Sequence, residues 1–157
     1  MFFSEDDVLE FIEENDVKFI RLTFCDTFGN MKNIAIMPRE LHRAIVDGIP
    51  FNATDLLESS HQNLLLKPDI STLSVLPWRP QSGRVVRFFC TLYRMDGTPY
   101  EGDLRRNLRE TMKSIQEHGY QCEMGTRCEF YLFETDMQGK PTRTPCDQGG
   151  YLDVAPL

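Results

Sequence analysis

The first forty residues alternate between two hydrophobic periods, one typical of a helix and one typical of strands. Ser4 has the position of an N-cap, and the apolar residues after it are spaced along one helix side as far as about Asn15. Residues 18–26 alternate with period two, and the polar turn at 26–30 leads into a second alternating run over 33–37. The pattern therefore predicts a helix followed by a β-hairpin.

The middle of the chain is less regular until its longest apolar run. Pro38 suits the first turn of a short helix that Gly48 ends. Residues 49–69 show no clear period, which indicates either a functional loop or an ordinary surface loop. A short strand is predicted over 72–76, and residues 84–94 are apolar at both parities, as in a strand buried on both faces.

A second helix and a second strand follow a possible domain boundary near residues 99–102. Asp103 can cap the helix, and Gly119 can close it. Residues 120–133 have the pattern of a strand, and residues 136–157 are rich in turn residues. Together the elements predict an α+β fold in which a mixed sheet packs on helices, followed by a helix–strand portion too small to form a closed domain.

The segment 125–133 is a candidate for chemistry, because it combines aromatic residues with two charged ones. On a strand, Arg127 and Glu129 would project from the same face, about 7 Å apart. A carboxylate fixed on a rigid strand can hold a hard metal cation or serve as a catalytic acid. The alternative is an Arg–Glu ion pair at a sheet edge.

Composition narrows the classes of function. With 157 residues the chain can form one ordinary domain or two small ones. The net charge of −7 argues against a surface for nucleic acid or for an anionic membrane, and no apolar run has the length of a membrane span. The N-terminus lacks the basic start of a signal peptide. Five cysteines without a C-x-x-C motif indicate free thiols in a reducing cytosol.

Seven short motifs, in order and spacing, resemble the N-terminal part of a type I glutamine synthetase. No single motif is specific, but the series covers the chain from about residue 17 to residue 156. The motifs are FCDTFG (24–29), GIPF (48–51), KPDIST (67–72), LPW (76–78), DGTPY (96–100), EFYLF (129–133) and GGYLDVAP (149–156).

The resemblance implies a β-grasp domain with its N-terminal helix over residues 1–101 and the beginning of the catalytic domain over 102–157. It also implies a cytoplasmic enzyme that uses ATP to ligate ammonia to the γ-carboxylate of glutamate. Mg²⁺ or Mn²⁺ would neutralise the transferring phosphoryl group. Subunits of this family form stacked rings, usually dodecamers, in which the β-grasp domain of one subunit closes the site of its neighbour.

Three positions depart from the family pattern. The family strand reads G-x-E-x-E-F, so Glu129 matches the second metal ligand, while Arg127 replaces the first. Asn52 stands where a family aspartate binds and deprotonates ammonium, and Asn63 stands at a second acidic position. An amide can hydrogen-bond a substrate but cannot act as a base, and Arg127 would repel a metal. Asp55 is a possible replacement for the missing acid.

These departures leave three functions open for the longer parent that the resemblance implies. The parent can be a glutamine synthetase, a γ-glutamyl–amine ligase for an amine larger than ammonium, or a related protein with a structural or regulatory role and no ligase activity. The family's nucleotide site and its other metal ligands lie beyond the point where this sequence stops. We therefore expect the chain alone to be an inactive fragment that binds neither ATP nor a metal.

Overall fold

The computed structural model describes residues 4–54, 63–78, 83–150 and 152–153. The chain divides into two compact units. The sheet unit comprises Met1–Gln121 and the hairpin unit comprises Cys122–Leu157. The predicted domain boundary after residue 101 stays a prediction. Among the described residues, none of the helices has the length and apolar character needed to cross a membrane.

The sheet unit begins with the predicted helix and hairpin. Helix α1, Glu5–Glu14, starts at a capping box in which Ser4 and Asp7 bond each other's backbone N–H groups. Strands β1, Val17–Cys25, and β2, Met31–Ile36, pair antiparallel, and their turn uses Gly29 at φ +81°. Three elements of this region were therefore predicted correctly from the alternation of apolar residues.

The strand Arg84–Arg94, called β6 below, is the centre of a mixed sheet. The remaining elements of the unit are a 3₁₀ turn at Pro38–Glu40, α2 at Leu41–Val46, β3 at Ile49–Asn52, β4 at Asn63–Pro68, a 3₁₀ turn at Ile70–Thr72, β5 at Ser74–Val75, β6 at Arg84–Arg94 and α3 at Leu104–Glu117. The strand order is β2-β1-β6-β4-β3, and β5 pairs with β6 beside this path. Among the strand pairs of the described residues in this sheet, only the β1–β6 pair is parallel. The predicted α+β class with a mixed sheet is confirmed.

One face of the sheet and two helices form the core. Its fully buried side chains come from α1, α2 and the three strands β1, β4 and β6, and include Val8, Ile20, Leu22, Leu41, Leu64, Leu66, Val86 and Phe88. On β6 the buried residues occupy both parities, since Val85 and Val86 are both buried. The prediction that β6 is buried on both faces holds only at this point, because farther along the strand the buried residues Phe88, Cys90 and Leu92 all share the parity of Val86, and the residues between them are half-buried.

The loop prediction for residues 49–69 was wrong, because that region contains β3 and β4. They pair with each other, Ile49 opposite Leu66 and Asn52 opposite Asn63, and β4 also pairs with β6. Pro50 and the unbroken leucine run at 64–66 hid the period-two pattern. The pairing of β4 with the distant strand β6, and of β3 with β4, therefore fixes these strands, and local alternation does not.

The strand predicted over residues 120–133 was also wrong in most of its length. In the part of the hairpin unit that the structure describes, the paired strands are β7, Phe133–Thr135, and β8, Pro141–Pro145. Residues 121–132 form neither helix nor strand and are exposed. A period-two pattern produces a strand only where a neighbouring strand supplies hydrogen-bond partners. Among the described residues the segment has such a partner only at its end, where the Leu132 carbonyl accepts a hydrogen bond from the Cys146 N–H at 2.9 Å.

Candidate functional site

Asn52 and Asn63 face each other at the mouth of the β3–β4 connection. They are direct partners across the two strands, and both are exposed. The Asn52 side-chain oxygen accepts a hydrogen bond from the Thr54 backbone N–H at 3.0 Å. Asp55 and His61, which belong to the connection, lie outside the described residues. The structure therefore brings together the two amides that the sequence placed at separate positions of a presumed loop.

The core holds both asparagines in place through their strand neighbours. Phe51 is buried beside Asn52, and the centroid of its ring lies 4.8 Å from the ring centroid of Phe24. Leu64 is fully buried beside Asn63. Because side chains alternate along a strand, burial of these neighbours turns both amides outward. The pair can donate and accept hydrogen bonds but cannot carry a negative charge or remove a proton from an amine.

Glu129 lies in a shallow cavity of the hairpin unit. The cavity has a volume of about 510 Å³, and its lining includes Glu129, Tyr131 and Asp147. Asp147 accepts a hydrogen bond from the Gly149 backbone N–H at 2.9 Å. Arg127 is exposed and is not among the lining residues that the structure describes. Because no strand forms here, the spacing argument for an Arg127–Glu129 pair on one strand face does not hold.

The donor groups of the described residues fit a divalent cation only in part. Mg²⁺ is commonly held through one or two carboxylates, with water and phosphate oxygens as its other ligands. Within the described ranges, no three His, Cys, Asp or Glu side chains converge on one point. Glu129 therefore fits as a single carboxylate ligand of such an ion and not as part of a complete protein site.

Asp69 is the centre of a charged network that the sequence analysis missed. Its carboxylate accepts hydrogen bonds from Arg105 at 2.8 Å, from Arg109 at 3.2 Å and from the Ser71 hydroxyl at 2.5 Å. Burial raises the pKa of Asp69, but the bonds from Ser71 and Arg105 outweigh it, so the pKa lies below its ordinary value of 3.8. The two arginines are distant in sequence from Asp69, which is why no local pattern indicated the network.

The comparisons with known proteins agree with this architecture. Residues 16–95, about half of the chain, match the family described as the glutamine synthetase β-grasp domain. Glutamine synthetase from Clostridium saccharobutylicum is 40% identical over 98% of the chain, and that of Methanosarcina mazei is 41% identical over the same share. In both cases the chain spans about 35% of the length of the relative.

Solved structures share the fold at lower identity. The cryo-EM structure of Plasmodium falciparum glutamine synthetase superposes with a TM-score of 0.65, covers 75% of this chain and is 18% identical, with 23% of its own length matched. A complex of GmaS with ADP gives a TM-score of 0.63 over 71% of this chain and 26% of its own. Together with the family match, the mixed sheet and its helices show that the chain belongs to the glutamine synthetase β-grasp domain family.

Proposed function

We propose that the protein acts as a glutamine synthetase, which uses ATP to ligate ammonia to the γ-carboxylate of glutamate. The observation that carries this proposal is the 40% identity to a curated glutamine synthetase over 98% of the chain. That match runs through both candidate regions, the Asn52–Asn63 pair and the segment that contains Glu129. The family match to residues 16–95 supports the same assignment for the sheet unit.

Four side chains take roles in this proposal. Asn52 and Asn63 orient the incoming amine by hydrogen bonds at the ends of β3 and β4. Glu129 supplies one carboxylate ligand for Mg²⁺ or Mn²⁺, which neutralises charge on the transferring phosphoryl group when it is bound. Arg127 places positive charge where the family has another carboxylate. We assign no residue of the chain to ATP binding.

The direct test is a ligase assay of the full-length protein from its source, with ATP, glutamate, ammonium and Mg²⁺ or Mn²⁺. We expect glutamine and phosphate to form in equal amounts. An Arg127→Glu variant restores the family's carboxylate and should tighten metal binding. The matched control is Arg143→Glu, an exposed arginine in β8, which should leave metal binding unchanged.

A γ-glutamyl–amine ligase is the second candidate, and the paired amides favour it. A site with Asn52 and Asn63 on one rung lacks the negative charge that attracts ammonium. We expect the missing charge to weaken the binding of ammonium more than the binding of a larger amine. The assay should then be repeated with methylamine, ethylamine and longer amines. Turnover with these amines, and none with ammonium, would replace the first proposal by this one.

Charge restoration at the pair separates the two candidates further. In an ammonium-dependent enzyme, Asn52→Asp should lower the KM for ammonium, while Asn107→Asp on exposed helix α3 should not change it. In a ligase for larger amines, Asn52→Asp should leave ammonium unused. If neither substrate class turns over in any variant, the remaining interpretation is a structural or regulatory family member.

Assembly and location complete the proposal. We infer a cytoplasmic homo-oligomer of stacked rings, as the family membership suggests. Light scattering of the full-length protein should give a mass that is a multiple of the subunit mass, close to twelve subunits by the family pattern. A monomer at micromolar concentration would contradict this part of the proposal without affecting the proposed reaction.

A further inference from the structure

A second cavity lies on the sheet face opposite the core, away from the asparagine pair. It has a volume of about 290 Å³ and is formed by β1, β2, β6 and the residues after β5. Its lining residues are Arg21, Thr23, Met31, Asn33, Leu76, Trp78 and Arg87. Strands β3 and β4, which carry the asparagines, stand on the far side of β6 from β1. The cavity is therefore a separate feature of the sheet unit, which we call the arginine pocket.

Two arginines stand side by side in the arginine pocket. Arg21 of β1 and Arg87 of β6 are direct partners in the parallel pair. Like charges in such positions disfavour the folded sheet unless something compensates them. Among the described lining residues, none is a carboxylate, so the pocket itself carries two positive charges. An acidic chain with a net charge of −7 thus concentrates positive charge at one point of its sheet.

The hydrogen-bond partners of these arginines leave donors available. Arg21 donates from Nη1 to the Asn33 side-chain oxygen at 2.7 Å, which fixes the direction of its guanidinium. The Arg87 guanidinium lies over the Phe89 ring, 4.6 Å from its centroid. The Arg87 Nε atom is buried and has no hydrogen-bond partner among the described residues. A buried donor without a partner is rare, because it loses the hydrogen bond that water would give.

The other wall of the pocket is apolar and open. Trp78 is 70% exposed, and Met31 is 60% exposed, although both are large hydrophobic side chains. An exposed indole next to guanidinium groups offers a flat surface on which a ring can stack. Arginine pairs bind carboxylate and phosphate groups through two parallel hydrogen bonds.

We propose that the arginine pocket binds a small organic anion that carries a carboxylate or phosphate on a flat ring. The acidic group lies between Arg21 and Arg87 and accepts hydrogen bonds from the pocket-facing N–H groups of their guanidinium groups. The ring lies against Trp78. The proposal does not depend on the ligase activity, since none of the pocket residues belongs to the candidate ligase site.

Trp78 makes the proposal directly measurable, because it is the only tryptophan of the chain. The emission of Trp78 should change in a saturable way when benzoate or phenyl phosphate is added to the chain. Acetate and inorganic phosphate lack the ring and should bind more weakly, and neutral benzamide should not bind. The better of benzoate and phenyl phosphate identifies the acidic group that the pocket prefers.

Substitutions of the two arginines show whether their positive charge is responsible for binding of the anion. Arg87→Gln and Arg21→Gln should each weaken binding of the better ligand by about tenfold or more, as expected for loss of a charge-assisted hydrogen bond. Arg87→Lys keeps the charge but not the paired donors and should weaken binding less. The matched control is Arg39→Gln, whose side chain is 83% exposed on a 3₁₀ turn, and it should bind like the unaltered chain.

Four outcomes would overturn the proposal: no change of Trp78 emission with either aromatic anion, an equal response to benzamide, equal binding by Arg87→Gln, or equal loss in Arg39→Gln. Far-UV circular dichroism of each variant shows whether it is folded. If Arg87→Gln does not fold, Arg21→Gln gives the decision, because Arg21 makes its one described side-chain hydrogen bond to Asn33 near the surface.

Discussion

Strand β6 and the segment 122–132 both carry apolar residues at alternate positions, but the first is a buried strand and the second is exposed and forms no strand. On β6, Phe88 is fully buried, with β1 on one side and β4 and β5 on the other. In the second segment Phe130 is 70% exposed, and the residues around it form no strand. The difference shows that an alternating aromatic sequence becomes a strand only when other parts of the chain supply hydrogen-bond partners and a surface to pack against.

The largest expected effect comes from the same substitution made in both regions. Phe88→Ala should lower the free energy of unfolding of the sheet unit by about 3–5 kcal/mol, because it leaves a cavity in the core. Phe130→Ala should change it by no more than about 0.5 kcal/mol. Urea unfolding followed by circular dichroism measures both. A cost for Phe130→Ala near that of Phe88→Ala would show that the segment 122–132 has a packed core after all.

A second pair of substitutions compares carboxylates that accept backbone hydrogen bonds. Asp103 is buried, caps α3 and also accepts the Leu92 N–H of β6 at 2.9 Å. Asp136 makes similar bonds to Gln138 and Lys140 in the exposed β7–β8 turn. Asp103→Ala should cost about 1–3 kcal/mol, because it leaves a buried N–H unpaired, and Asp136→Ala less than about 1 kcal/mol. The comparison fails if Asp136→Ala is the more costly change in urea unfolding.

Thiol labelling compares the burial of β6 with the exposure of the hairpin unit and needs no measurement of stability. Burial raises the pKa of the Cys90 thiol to about 12, so at pH 8 almost none of it is thiolate. Cys122, Cys128 and Cys146 are exposed. Ellman's reagent should therefore modify these three rapidly and Cys90 only after denaturant is added. A Cys90→Ala variant identifies the slow thiol, and rapid labelling of Cys90 in the native chain would contradict the buried position of β6.

The smallest expected effect concerns the loss of folding stability at low pH. Because the pKa of Asp69 is lowered in the folded chain, its ionised form stabilises the sheet unit above the ordinary value of 3.8, and this stabilisation is lost as the pH falls. Asp69→Asn should therefore flatten the loss of stability in acid, and Ser71→Ala, which removes one hydrogen bond, should do so less. Urea midpoints at neutral pH and at about pH 3 test this. An unchanged acid dependence in Asp69→Asn would show that other carboxylates control it.

Local patterns were sufficient for those parts of the fold that are determined by neighbours in sequence. The Ser4 cap, the hairpin turn at Gly29 and the helix between Asp103 and Gly119 could be predicted, because short-range hydrogen bonds and backbone preferences determine them. β3 and β4 could not, since β4 pairs with β6, which lies far along the chain, and β3 pairs with β4. A strand was predicted over residues 122–132 because their local alternation fits one, but local alternation alone does not provide the partner strand that a sheet requires.

The candidate site, too, could be predicted only in part from the sequence. Motif resemblance located Asn52 and Asn63, but only the strand register showed that they are partners on one rung. The Asp69–Arg105 contact and the Arg21–Arg87 pair join residues that no motif connects. The roles of Arg127 and Glu129 stay predictions, because they rest on the motif alone.

The parallel pairing of β1 with β6 has a consequence for synthesis on the ribosome. β1 is complete at Cys25, but its parallel partner begins only at Arg84. At ~5–20 residues per second, roughly 60 further residues take several seconds to emerge. During that interval the apolar face of the nascent β1–β2 hairpin has neither its central strand nor its full core. The newborn chain therefore exposes apolar surface until β6 arrives, and this transient exposure is the stage of its synthesis most prone to aggregation.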